Sequence, residues 1–223
     1  MSKPTVLFED NHLLVVDKPA GLATMGVAAD VPSAVRWAAA YLKARYHKPG
    51  NVFVGVVSRL DSLVSGVLVL ARTSKAAQRL SAQFREHQVD KRYRALVSGA
   101  WEHAQWSELQ DWLCKDEARH RMQIVRAGSP GAQLAQLRVR PLAITDDHSV
   151  LEIDLHSGRK HQIRVQLAHR GHPILGDRKY GAESRWPKGI ALHCHELSLE
   201  HPTLKQRLTF RAPLPAYWPK SAH

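Results

Sequence analysis

Hydrophobic positions along this chain follow two rhythms. TVLF at 5–8 and HLLVVD at 12–17 are short apolar runs, and they predict two strands joined at Asp10-Asn11. GVLVLA at 66–71 is apolar throughout and rich in valine, which predicts a buried strand. At 149–156 Leu151, Ile153 and Leu155 alternate with Glu152 and Asp154, the pattern of a strand with one wet face. Further strands are expected over 91–98, 105–113, 120–126, 133–143, 195–200 and 206–211. A helical period places Val35, Ala38, Ala39 and Leu42 on one face of a helix over 34–47, with Ser33 as its cap. A second helix is expected over 75–87, started by Thr73 or Ser74 and carrying Ala76, Leu80 and Phe84 on one face. A third covers 161–170 and stops at Gly171, while Pro19-Ala20-Gly21 and Pro49-Gly50 break the pattern elsewhere. Many strands with few helices indicate the α+β class.

No repeat, low-complexity tract or long linker divides the 223 residues, so a single domain over 1–223 is expected. The hydrophobic share of 44% and charged share of 23% exclude a mostly disordered chain and a fibre. No apolar run reaches the roughly 20 residues that a membrane-spanning helix needs, and no association with a membrane is expected. The opening segment meets Glu9 without a hydrophobic signal core, and there are only two cysteines, Cys114 and Cys194; a reducing, cytoplasmic setting is therefore expected. Charge changes the picture more. With 32 Lys plus Arg against 20 Asp plus Glu, the formal net charge is +12, which points to a polyanionic partner, most often nucleic acid. The cations are concentrated: Arg72, Lys75, Arg79, Arg85, Lys91, Arg92 and Arg94 face only Glu86 and Asp90 within 72–94. One basic face is expected, the alternative being a solvated basic helix.

Three segments carry candidate chemistry. In Ser58-Arg59-Leu60-Asp61-Ser62-Leu63-Val64-Ser65-Gly66 a loop runs into the buried strand, a platform suited to holding one side chain accurately. Asp61 there can serve as nucleophile or base, or simply as a turn residue. Around Tyr93 the cations Lys91, Arg92 and Arg94 fit a base-stacking aromatic among phosphate ligands, and fit equally an amphipathic edge strand. In Ser157-Gly158-Arg159-Lys160-His161-Gln162-Ile163-Arg164 donors crowd the start of a helix, making an anion site or an ordinary basic helix. If Arg164 reaches inward it needs a carboxylate, for which Asp61 is the preferred candidate.

Taken in this order, the segments resemble the RluA family of pseudouridine synthases. Ser58 to Ala71 is similar to that family's HRLDxxTSGxLLxA motif, and Lys91, Tyr93, Ala95, Val97 and Gly99 match its K-x-Y-x-A-x-V-x-G. Gly158 to Arg164 matches G-R-x-H-Q-I-R, and Gly171 to Gly181 matches G-H-P-I-x-G-D-x-x-Y-G. The opening VLFEDNHLLVVDKPAGLAT and the closing ALHCHELSLEHPT and FRAPLP are similar too, so the likeness spans about residues 5–218. It implies a mixed, largely antiparallel central sheet in two lobes around a basic cleft. It also implies isomerisation of uridine to pseudouridine in structured RNA, transfer or ribosomal, with no metal or organic cofactor. No obligate protein partner is implied.

Residue by residue, the resemblance makes Asp61 the catalytic aspartate, Tyr93 the stacking and proton-moving tyrosine, and Arg164 the partner of Asp61. Arg59 corresponds to an arginine that fills the space left by a flipped nucleotide. Lys91, Arg92, Arg159, Lys160, His161 and Gln162 fall among the RNA-binding positions. Four positions depart from the family pattern: Ser58 for histidine, and Val64, Ser157 and Lys160 for threonines. No separate N-terminal S4-type RNA-binding domain is expected.

Other readings remain. The 14 histidines, with His193-Cys194-His195 among them, raise a metal site, yet no HExxH or zinc-finger spacing occurs. A DNA-binding or purely RNA-binding module would account for the charge but has no need of Asp61 beside Tyr93 and Arg164. The departures at Ser58 and Val64 leave a catalytically inactive RNA-binding paralogue of the same fold as the alternative.

Overall fold

The computed structural model describes residues 2–222. It is an α+β protein whose chain forms two compact units, one from the residues up to Asp90 with Cys194–Pro213, the other from Lys91–His193 and the segment from Leu214 onward.

In the first unit β1 (Thr5–Glu9) and β2 (Leu13–Lys18) form an antiparallel hairpin. Asp10 makes the turn, its Oδ1 accepting the backbone N–H groups of His12 and Leu13 at 2.8 and 2.7 Å. β2 pairs antiparallel with β4 (Ser65–Ala71), and the two-residue β3 (Gly55–Val56) pairs with β4 as well. The sheet continues from β4 into β10 (Leu192–Glu200), which pairs antiparallel with β11 (Arg207–Arg211). Leu13–Val16 and Val67–Ala71 are buried, so both central strands are covered on both faces and read as continuous apolar runs. At roughly 1.5–3 kcal/mol per buried aliphatic side chain, these two strands anchor everything attached to them.

Gly66 is required at the start of β4. Its φ is +113°, and a Cβ there would lie 2.2 Å from the Cys194 carbonyl oxygen. Two helices complete the unit. α1 (Ala34–Arg45) is capped by Ser33, whose hydroxyl accepts the Arg36 N–H at 3.3 Å. α2 (Ser74–Arg85) is capped in the same way by Thr73. Both begin where their caps and apolar spacing place them.

In the second unit β5 (Asp90–Ser98), β9 (His148–Leu155), β8 (Gln133–Ile144), β6 (Ser107–Asp116) and β7 (Arg121–Val125) pair antiparallel in that spatial order. α3 (Gln162–His169) lies on one face of this sheet, where Val165 joins Leu113, Ala135 and Tyr180 in a core backed by Met122 and Ile124. Six consecutive residues of α3, Gln162 to Leu167, are buried, so it is an internal helix and not a basic surface one.

The other sheet face corrects the expectation of a wet face on β9. Glu152 is only 6% exposed. It lies opposite Arg94 on β5 and Arg140 on β8 and is ion-paired to both at 2.5 Å. Asp154 pairs in the same way with Arg138 at 2.8 Å. Long arginine side chains from neighbouring strands thus cover positions that alternation alone assigns to water.

Candidate active site

Asp61 lies on the loop that leads into β4, and this loop is tied at almost every residue. The Leu60 N–H donates to Thr24 Oγ1 at 3.2 Å, and the Thr24 hydroxyl donates back to the Leu60 carbonyl at 2.8 Å. The Val64 N–H donates to the Asp61 carbonyl at 3.0 Å, closing a tight turn around residues 61–64. The Gly21 N–H holds the Ser62 carbonyl at 2.7 Å.

Beneath these ties sits Lys18, with no exposed surface. Its Nζ donates to the carbonyls of Leu22 at 2.7 Å and Pro19 at 3.0 Å, and reaches Ser62 O at 3.5 Å. Burial pushes the Lys18 ammonium down to about 7, against the opposing pull of the Asp61 and Asp17 carboxylates. A lysine is thus the internal fastener between the 18–22 turn and the Asp61 loop. The sequence pattern marks only the Pro19-Ala20-Gly21 break there. The missed signal was a lysine closing a strand that is apolar in its first four residues. Ser58, at the head of the loop, donates to the Val69 carbonyl at 3.3 Å, and Arg59 is exposed.

In the second unit Tyr93 is 7% exposed and stands opposite Ile153 in the β5–β9 register. Strand alternation puts Lys91 on the Tyr93 face and Arg92 and Arg94 on the other. Lys91 is aimed at the 157–162 loop: a Cβ on Gly158 would lie 3.8 Å from its Nζ. Arg92 is exposed opposite Asp154, and Arg94 belongs to the Glu152 pair.

The 157–162 loop is closed by Gln162. Its Oε1 accepts from the Ser157 hydroxyl at 2.8 Å and the Arg159 N–H at 3.1 Å, while its Nε2 donates to the Gln136 carbonyl at 3.1 Å. Gln162 is 3% exposed, so its amide builds the loop. Arg159 Nε donates to the Leu134 carbonyl at 3.0 Å, and Lys160 is exposed. His161 takes a left-handed backbone with φ 53° at the helix start, and its Nδ1 is 2.8 Å from the Tyr180 hydroxyl.

Arg164, 3% exposed, makes a two-point pair with Asp177: Nε to Oδ2 at 2.7 Å and Nη2 to Oδ1 at 2.8 Å. Its guanidinium also lies 5.0 Å from the centre of the Tyr180 ring. Asp177 went unassigned in the sequence reading, although it stands in the quoted G-D pair of the Gly171–Gly181 stretch. Its signal was chemical, since a buried arginine calls for a carboxylate.

Several cations of the basic segment 72–94 turn out to be internal ties. Arg72 is ion-paired to Glu9 at 3.1 Å, and Arg79 donates to the Pro202 carbonyl at 2.7 Å.

A family model described as RNA pseudouridylate synthase matches residues 12–169, a span that holds Lys18, Asp61, Tyr93 and Arg164. The chain belongs to this family. Among curated relatives, ribosomal large subunit pseudouridine synthase C of Vibrio cholerae is 33% identical over 220 residues, covering 95% of this chain and 66% of its own. Ribosomal large subunit pseudouridine synthase D of Nitrosomonas europaea is 36% identical over 228 residues, covering 94% and 62%. The chain therefore spans about two thirds of the length of these relatives. Of solved structures, human RNA pseudouridylate synthase domain containing 4 superposes with a TM-score of 0.78 at 25% identity, over 95% of this chain and 89% of that one. These likenesses bear out the RluA-type resemblance and the pseudouridine synthase fold. Among the described residues, no helix of this pseudouridylate synthase domain is long and apolar enough to cross a membrane.

Proposed function

We propose that this pseudouridylate synthase domain isomerises uridine to pseudouridine in RNA, with Asp61 as the reacting carboxylate. The observation that supports this most is the loop itself. A fully buried lysine, a threonine hydroxyl and two backbone bonds immobilise the residues around Asp61, the accuracy a catalytic carboxylate needs and a turn residue does not. The reaction breaks the N1–C1′ glycosidic bond and forms a C5–C1′ bond; C5 gives up its proton and N1 gains one. Three routes use the same carboxylate: attack at C1′, addition to the uracil ring, or help in removing a C2′ proton towards a glycal.

Tyr93 offers its ring to the extruded uracil, and Arg59 occupies the gap that the base leaves in the stack. Extrusion costs roughly a few kcal/mol, which such stacking offsets. Arg164 is assigned to the same reaction as its buried arginine. Of the candidate RNA-binding residues, Arg59, Arg92 and Lys160 are exposed, and these we assign to phosphates together with Lys91, Arg159 and His161. Gln162 serves by holding the loop that presents them. The names of the curated relatives favour large-subunit ribosomal RNA over transfer RNA as the substrate, and hence the cytoplasm as the compartment.

Pseudouridine mapping in a strain deleted for this chain tests the substrate. One or a few large-subunit sites should lose the modification and regain it with the wild-type gene but not with Asp61→Asn. A deletion strain whose ribosomal RNA keeps every pseudouridine would overturn the ribosomal assignment.

A further inference from the structure

We propose that Asp177 is the positioning residue for Arg164, fixing both the direction and the plane of its guanidinium for the reaction; this rests on the assignment of Arg164 to that reaction made above. The pair is two-point and dry: two N–H···O contacts of 2.7 and 2.8 Å join side chains that are 4% and 1% exposed. A paired fork of this kind sets in-plane orientation, which a single contact cannot do. The plane is set from the side, where the Tyr180 ring lies 5.0 Å from the guanidinium carbon. Tyr180 is held in turn, since its hydroxyl accepts the Met122 N–H at 3.0 Å.

The backbone carrying Asp177 is equally constrained. The Asp177 N–H donates to the Ile174 carbonyl at 2.9 Å, and the Asp177 carbonyl accepts from Tyr180 and Ala182 at 3.0 and 3.1 Å. The preceding Gly176 has φ +83°, and a Cβ there would lie 2.6 Å from the Trp186 side chain. A short turn, Arg178–Tyr180, thus delivers a carboxylate and an aromatic ring to the same arginine. The Nε edge of Arg164 is committed to Asp177, so whatever else this arginine binds meets its Nη1 side. Asp177 therefore decides where that side points without touching RNA.

The full chain carrying Asp177→Asn or Asp177→Glu tests this. Tritium release from RNA labelled at uracil C5 gives kcat and KM, circular dichroism reports folding, and the Nε–H resonance of Arg164, assigned with Arg164→Lys, reports the pair. Asp177→Asn keeps the shape but loses the charge-assisted fork. It should fold, lower kcat by about 10- to 100-fold, leave KM for RNA within about threefold, and shift the Arg164 Nε–H. Asp177→Glu keeps the charge but displaces the fork by one methylene; it should lower kcat by about tenfold or more at unchanged KM, an effect that a purely structural ion pair would not produce. A folded Asp177→Asn or Asp177→Glu protein with wild-type kcat overturns the proposal. So does a wild-type Arg164 Nε–H that exchanges as fast as a solvent-exposed arginine. If Asp177→Asn fails to fold, the Asp177→Glu kinetics and the wild-type spectrum decide alone. Wild-type turnover by Asp61→Asn and Arg164→Lys would instead sink the underlying reaction assignment; inactive Asp61→Asn and Arg164→Lys beside a fully active Asp177→Asn sinks only the positioning role.

Discussion

Lys18 shows how one residue can govern a loop that it precedes by more than forty positions. Its ammonium is wholly buried and spends its donors on Leu22, Pro19 and Ser62 carbonyls. Burial lowers its proton affinity to about 7, while an unfolded lysine titrates near 10.4. Between those values the unfolded chain binds the extra proton and the folded protein does not, so stability rises with pH across that window. The slope from this group is on the order of 1 kcal/mol per pH unit. Lys18→Met should abolish that slope, as read from urea midpoints at pH 7 and pH 9, and should also reduce turnover because the Asp61 loop loses its fastener. Parallel pH profiles for wild type and variant would contradict this. Asp61, Tyr93 and Arg164 could be proposed from the sequence because each sits in a quotable motif. Lys18 could not, because a lysine at the end of a strand also fits a side chain that reaches out to water. Nor could Asp177, because the pairing of Arg164 spans 13 positions and depends on a turn whose path the sequence does not reveal.

At the scale of elements the β5–β9–β8 ladder carries the clearest consequence. Burial pushes the Glu152 carboxyl up, but the hydrogen bonds and charges of Arg94 and Arg140 outweigh it and leave it below the usual carboxylate range. Its contribution to stability is therefore present above the unfolded carboxylate value near 4.3 and is lost as pH falls through the lowered folded value. Glu152→Gln should cost about 2 kcal/mol, less than a fully buried pair because Arg140 is half exposed, and should remove that part of the acid sensitivity. Urea denaturation at pH 7 and pH 4 measures both; an unchanged midpoint at pH 7 would refute the ladder's role. Strand and helix positions were legible almost throughout, since apolar runs, Ser33 and Thr73 mark them locally. The short β3 and the Arg178–Tyr180 turn were not: two or three residues carry no periodicity. The burial of Glu152 was hidden for another reason. Which strands flank β9 is a long-range fact, and the flanking arginines decide whether its face is wet.

For the whole molecule the +12 charge remains the broadest determinant of binding. Part of it is spent internally, since Arg72, Arg79, Arg94 and Arg164 serve as ties, and the exposed remainder is what the proposed function assigns to RNA phosphates. If about six phosphates are neutralised, RNA affinity should fall by roughly 10³ between 50 and 200 mM salt. Lys160→Ala should lower the salt slope by roughly 0.7–0.9 without changing which uridine is modified. Filter binding across a salt series gives both quantities, and an affinity indifferent to salt would remove the charge from the account. Charge by itself separates no enzyme from a binding module; the Asp61 loop is what distinguishes them here. The most direct measurement is tritium release from uracil-labelled ribosomal RNA by the purified chain, wild type beside Asp61→Asn. Wild type should release C5 tritium in proportion to pseudouridine formed, and folded Asp61→Asn should bind the same RNA and release none. Equal release by the two proteins would contradict the role assigned to Asp61.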